Sequence, residues 1–291
     1  MSSKKLGIRN EELGIRNGEL QSKIQNPKSK INSPFSSLNS PLKKAFIAFI
    51  TGGDPDIETT EKLIFAMEEA GADIIEIGIP FSDPIAEGVV IQGADERALA
   101  NGCTTDKLFD MVKRVRQKTE IPLVFMTYLN PVFKYGKEKF LKRCQDVGID
   151  GLIVPDMPFE EKDELDDVCE RCGVDLISMI APTSEERIAM IAKEAKGFLY
   201  CVSSLGVTGT RTTLSGDIAG MIQSVRKVSD IPCAIGFGIS TPEHVRVLSA
   251  ISDGVIVGSA IVKIIAKHGR ESVEPVKQFI RDMKAYGGGH H

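Results

Sequence analysis

Glu76 stands in the middle of a short apolar run, Ile74-Ile75-Glu76-Ile77, that breaks at Gly78 and Pro80. The loop that follows is rich in Pro and acidic residues and carries a second carboxylate, Glu87. A lone carboxylate among Ile side chains costs several kcal/mol unless it is paired or protonated. Two carboxylates in such unlike settings suit general acid–base chemistry, the apolar one with a raised pKa and the loop one ionised. On this stretch alone a loop salt bridge or a helix cap is the plain alternative.

Other chemistries find little support. Of the four histidines, His290 and His291 lie in a tag-like tail, and His244 and His268 fall in helical patterns that read as solvated faces. A His-based metal site and a Ser-His-Asp triad are therefore not expected. The strand runs named below lack Lys, which argues against a strand-borne Schiff base. Late in those runs the acidic residues are Glu76 and Asp156. Asp73, Asp150, Asp175 and Asp253 sit at strand starts and read as caps or turns.

The elements that must position these groups repeat one pattern: a β-branched apolar run, a Gly/Pro break, then a helical stretch. The runs are 46–51, 73–77, 121–127, 150–156, 175–181, 197–203, 231–237 and 253–258. Continuous apolarity suits strands buried on both faces of a parallel sheet. Helix periodicity with plausible N-caps marks Glu58–Ala70, Thr105–Lys118, Glu160–Cys172 and Ser184–Lys196. Eight strands alternating with helices point to an α/β fold, a single-domain (β/α)8 TIM barrel over 43–286, with a doubly wound open sheet as the second choice. In a barrel, Glu76 near the end of the second strand and Glu87 in the next loop share the rim where active sites form.

Residues 1–42, with LGIRN at 6–10 and again at 13–17 and then a Ser/Asn/Lys/Pro-rich stretch, read as a disordered extension, and 287–291 as a tag-like tail. A hydrophobic content of 42% with 26% charged residues suits a globular core, and a net charge of -4 recommends neither nucleic acid nor an anionic membrane. No signal-peptide pattern is present, and no apolar run approaches the roughly 20 residues of a membrane span. The six scattered cysteines suit reduced thiols in the cytoplasm. Cys169 and Cys172 form a C-x-x-C on a helical pattern, without the second pair that a zinc site would need.

At the other end of the site, the seventh run leads into Gly236-Phe237-Gly238-Ile239-Ser240. The eighth leads into Gly258-Ser259-Ala260 at the head of a helical segment. Glycine lets backbone N–H groups approach an anion, and loops after strands 7 and 8 are the frequent phosphate site of this fold. After the sixth run, residues 205–212 (LGVTGTRT) read as a glycine-hinged lid, with a plain surface loop as the alternative.

The stretches FITGGDP (49–55), IEIGIPFSDP (75–84), SSLGVTG (203–209), GFGIS (236–240) and GSAIVKII (258–265) closely resemble the tryptophan synthase alpha chain family, in the right order. The resemblance implies a barrel lyase that cleaves indole-3-glycerol phosphate to indole and glyceraldehyde 3-phosphate. It also implies an alpha2beta2 heterotetramer with a beta chain that carries pyridoxal phosphate, and no cofactor in this chain. Residue by residue it places the catalytic groups on Glu76, Glu87 and Tyr200, and the lid threonine on Thr208. The phosphate contacts fall on Gly209, Gly238, Gly258 and Ser259, and the indole pocket on Phe49, Met126, Tyr128, Ile153 and Phe237.

Three departures stand out. The loop acid, most familiar as Asp in this family, is Glu87 here; the Pro usual after the next Gly is Val89; and the helix usual before the first strand is not evident. Three other functions remain open to the sequence: a different phosphosugar barrel enzyme, a lyase that acts without a beta chain, and a subunit that chiefly activates its partner.

Overall fold

Apolar runs with no polar alternation need cover on both faces, and here they curl into a closed barrel. The computed structural model describes residues 30–31, 34–35, 44–202, 211–236 and 238–285, with the backbone alone for 211–217. In chain order the described elements begin β1 (Ala45–Thr51), α1 (Ile57–Glu69), β2 (Ile74–Gly78), α2 (Val89–Ala100) and α3 (Thr105–Val115). Then come β3 (Leu123–Met126), α4 (Leu129–Tyr135), α5 (Lys137–Val147), β4 (Gly151–Ile153), α6 (Asp163–Cys172), β5 (Asp175–Leu176), β6 (Met179–Ile180) and α7 (Glu185–Glu194). The last are β7 (Leu199–Val202), α8 (Arg211–Arg226), β8 (Cys233–Gly236), α9 (Pro242–Ser249), β9 (Gly254–Val257), α10 (Ser259–His268) and α11 (Val273–Ala285).

The strand order is β5-β4-β3-β2-β1-β9-β8-β7-β6, and every pairing is parallel. The fifth apolar run supplies both ends of that order, because it is broken into β5 and β6. The ring closes through its middle: Ile177 N–H donates to Leu152 O (2.9 Å), and Tyr200 N–H donates to Ser178 O (3.0 Å). This closure makes the sheet a (β/α)8 barrel and sets aside the open doubly wound alternative.

Strand parity divides the core. Ala45, Ile47, Ile74, Val124, Ile153, Ile177, Tyr200, Ala234 and Ile256 share one buried cluster inside the barrel. Phe46, Ala48, Ile50, Ile75 and Ile77 pack outward against the helices. Glu76 has the inward parity of Ile74. The strand-start aspartates tie neighbouring strands at the opposite end: Asp73 accepts Phe46 N–H, Asp150 accepts Leu123 N–H, and Asp253 accepts Cys233 N–H. Each also meets a cation, from Lys284, Arg116 and Arg226 respectively.

Three of the four expected helices carry side-chain N-caps, with Asp56, Thr104 and Ser184 each accepting a backbone N–H, as Thr241 does for α9; the fourth, α6, starts at Asp163 without one. Helix α2 is an addition, absent from the expected set. Two residues from the expected N-terminal extension also take part in the barrel. Ile31 is fully buried and Phe35 nearly so, in the same cluster as the inward side chains. The Phe35 ring lies 5.7 Å from that of Phe198. Gly151 makes room for Ile31, since a Cβ there would fall 2.5 Å from its Cδ1. Ile31→Ala and Phe35→Ala should each lower stability by about 2–4 kcal/mol, read from urea denaturation midpoints. Unchanged midpoints would show that these side chains do not fill the barrel.

Candidate active site

Glu76 is 1% exposed, and neither of its carboxyl oxygens has a hydrogen-bond partner among the described residues. It sits in register with Phe49 on β1 and Val124 on β3. Burial, and secondarily the charge of Glu87, push its pKa up to about 8. The group therefore holds its proton at neutral pH. Thr51 and Thr127, at the ends of the flanking strand runs, likewise keep buried hydroxyls with no partner.

Tyr200 on β7 is also buried. Burial, and then the charge of Glu76, raise its phenol well above the usual range, so the two groups sense each other inside the barrel. Gly236 on the neighbouring β8 permits this placement, because a Cβ there would lie 2.5–2.6 Å from the Tyr200 ring and hydroxyl. A residue of any other type would have to displace the phenol.

Glu87 lies in the loop between β2 and α2. Tyr128 holds the loop, its hydroxyl accepting Ala86 N–H (3.0 Å) and its ring 5.4 Å from that of Phe81. Gln92 Nε2 donates to Glu87 O (2.8 Å), which ties the loop to the first turn of α2. Gly88 occupies the N-cap, and Val89 follows as the first helical residue, 82% exposed. The sequence reading had Glu87 ionised through exposure. Instead it is half-buried, and burial raises its pKa while a hydrogen bond with Asp95 of α2 opposes the rise. Asp95 is itself pushed up to about 8, by burial first, then by the Glu87 charge and their hydrogen bond. Sequence reasoning missed Asp95 because GADERALA, with Gly93 and several charges, shows no clear buried face. Helix α2 and its contact with the loop are visible only in three dimensions.

A cavity of about 820 Å³ opens beside these groups. Phe49, Glu87, Met126 and Tyr200 line it, as do Gly238, Ser240, Gly258 and Ser259. Gly258 is the N-cap of α10 and Ser259 its first residue, so a helix N-terminus faces the cavity's polar end. Lys263, one turn further along α10, also lines it. Glu76 does not itself border the open space. Of the expected indole-pocket residues, Phe49 and Met126 do, Tyr128 supports the loop, and Ile153 is buried in the barrel interior. Thr208, Gly209 and Phe237 fall outside the described residues. Asp156 is a cap, accepting Leu129 N–H (2.9 Å) at the start of α4. Cys169 and Cys172 are buried free thiols.

Fold and rim together define the class: a single-domain (β/α)8-barrel enzyme with its ionisable groups and a helix N-terminus around one mouth. A family profile described as "Tryptophan synthase alpha chain" matches residues 35–287. The chain is 52% identical over 243 residues to the tryptophan synthase alpha chain of Alkaliphilus metalliredigens, covering 83% of this chain and 91% of that one. It is 50% identical over 244 residues to that of Thermoanaerobacter sp., covering 83% and 93%. The crystal structure of tryptophan synthase subunit alpha from Legionella pneumophila matches with a TM-score of 0.82 at 35% identity, covering 89% of this chain and 98% of that one. The chain belongs to the tryptophan synthase alpha chain family. Its role is that of the alpha subunit in tryptophan biosynthesis, a lyase acting on indole-3-glycerol phosphate.

The buried carboxyl has a consequence for stability. Glu76 ionises near its ordinary 4.5 when unfolded and at about 8 when folded. Between those values the folded state binds the extra proton, so this group lowers stability as pH rises from about 4.5 to 8. In Glu76→Gln that contribution disappears. Stability of the variant relative to the parent should improve by up to about 1.4 kcal/mol per pH unit across this window and level off above it. Denaturation curves at several pH values test this; parallel pH profiles would show that Glu76 is not held protonated.

Proposed function

We propose that this chain cleaves indole-3-glycerol phosphate to indole and glyceraldehyde 3-phosphate with two carboxylates, Glu76 and Glu87, without a metal ion or a Schiff base. One observation carries the reading: Glu76 is a buried, protonated carboxyl with no hydrogen-bond partner among the described residues, two positions before the end of β2. With no charge and no hydrogen bond to break, it can turn toward the cavity at the cost of a rotamer change.

Protonated Glu76 delivers its proton to C3 of the indole ring. The resulting cation is relieved when the hydroxyl of the attached glycerol carbon gives up its proton to the Glu76 carboxylate. The carbon–carbon bond breaks, its electron pair restores the aromatic ring, and the carbon that bore the hydroxyl leaves as an aldehyde. One proton enters and one returns, so Glu76 is regenerated. Glu87, ionised at the cavity wall, accepts from the indole N–H and stabilises positive charge on the ring. Tyr200 shapes the floor beside Glu76. The phosphate binds the amides of Gly238, Gly258 and Ser259, the last two at the N-terminus of α10, and the family resemblance adds the amide of Gly209. The indole lies against Phe49 and Met126, with Tyr128 and Ile153 behind; the family resemblance adds Phe237 to this pocket and assigns Thr208 to a lid.

The chain works with a beta chain in an alpha2beta2 assembly, where pyridoxal phosphate belongs to the beta chain. Support comes from the solved tryptophan synthase a2b2 complex of Pyrococcus furiosus, 37% identical to this chain with a TM-score of 0.77 over 83% of it and 98% of that chain. The location expected for such an enzyme is the cytoplasm; among the described residues no helix is long and apolar enough to cross a membrane.

Glu76→Gln and Glu87→Gln should each reduce indole release by about 10²–10⁴-fold while leaving binding of glycerol 3-phosphate nearly intact. Near-normal turnover in Glu76→Gln would end the two-carboxylate reading.

A further inference from the structure

We propose that Asp95 is a positioning residue for this reaction: its carboxyl, set on the inner face of α2 against Glu87, carries the proton of the pair and donates it to Glu87, holding that carboxylate ionised and aimed at the cavity. The inference rests on the two-carboxylate reading above.

The geometry of the pair motivates it. Asp95 is 4% exposed, beside the fully buried Ala94 and Ala98 on the same helix. Phe81 N–H donates to it from the loop, so loop and helix are joined at this carboxyl. Glu87 Oε2 is buried and, among the described residues, receives no hydrogen bond from an amide, hydroxyl or cation. Two carboxylates at hydrogen-bond distance with no cation between them cannot both ionise cheaply, so one proton stays in the pair.

The surroundings decide where that proton resides. Asp54, in the loop after β1, adds negative charge near Asp95 but is committed to Arg97 through a bidentate pair (2.9 and 2.8 Å). The Cys103 thiol and the Tyr128 phenol, pushed up to about 11 and 12 chiefly by burial, stay neutral and offset no charge. Glu76 is neutral as well. Among the described residues the main influences on either carboxyl are burial, other carboxylates and the Phe81 amide, while Lys263 borders the same cavity as Glu87 from α10. Asp95 is the more deeply buried and has Asp54 nearby, so ionising it costs more than ionising Glu87. Glu87 therefore carries the charge, and Asp95 supplies the hydrogen bond that fixes its direction. When Asp95 ionises at higher pH, two adjacent charges repel and the aim of Glu87 is lost. A displacement of about an ångström suffices to slow such a step strongly.

Indole release measured against pH separates this role from a merely structural one. In the parent chain both Glu76 and Asp95 must hold their protons, so the alkaline limb of log kcat should approach a slope of about -2. Asp95→Asn keeps an acceptor for Phe81 N–H and a donor for Glu87 but cannot titrate. It should retain kcat at pH 7 within about threefold, with the alkaline limb relaxed to a slope of about -1. Asp95→Ala should lose about tenfold or more in kcat with a smaller change in KM. A limb in Asp95→Asn identical to the parent's overturns the inference, whatever the fate of the Ala variant. Glu76→Gln assayed in the same series keeps the two ideas apart. If it turns over normally, the two-carboxylate reading itself fails; if it is silent while the Asp95→Asn limb is unchanged, only the role of Asp95 fails.

Discussion

The barrel interior at β2 buries Glu76 almost completely and offers it no hydrogen bond among the described residues. An ionised carboxylate there would forfeit its hydration without repayment, so the group keeps its proton into the neutral range. The site follows from that constraint. A neutral Glu76 leaves Tyr200 free of an adjacent charge, and it makes the carboxyl an acid beside a cavity whose far end faces a helix N-terminus. In the proposed reaction Glu87, at the cavity wall, is then the carboxyl that carries negative charge.

Barrel closure is what turns scattered residues into that arrangement. Glu76 and Tyr200 lie far apart in the chain, and on an open sheet they would not share an enclosed interior. Because the run at 175–180 joins β4 to β7, their strands curve around one space and both side chains point into it. The same closure brings Gly258 at the start of α10 to the mouth beside Phe49 of β1, against whose ring a Cβ at Gly258 would pack. The two ends of the cavity then differ in kind: apolar walls with two carboxyls on one side, backbone amides and a helix dipole on the other. A substrate with an aromatic ring and a phosphate matches that polarity.

Much of this was legible in the sequence because parallel strands buried on both faces leave long apolar runs, and each of the eight expected runs contains strand. The fifth run read as one strand, since its break into β5 and β6 arises from pairing on opposite sides. Helix α2 escaped detection because Gly93 and its charged neighbours obscure the periodicity. Asp95 escaped with it, looking like one more solvated charge. Asp156 seemed a candidate acid by position along the run, yet it caps α4. Ile31 and Phe35 looked like isolated apolar residues in a polar stretch, and their burial inside the barrel follows from a space that no local pattern describes.

Residue types and order by themselves determined the alternation of strands and helices, the lone carboxylate in an apolar strand, and the glycine-rich turns after the last two strands. These are local properties, set by side-chain chemistry and backbone periodicity. The tertiary structure alone decided which side of β2 faces inward, that Glu76 has no hydrogen-bond partner among the described residues, and that Glu87 meets Asp95. Protonation depends on neighbours brought close by folding and on the water they exclude. The sequence could therefore name the two carboxylates, and only the folded barrel could show how their environments differ.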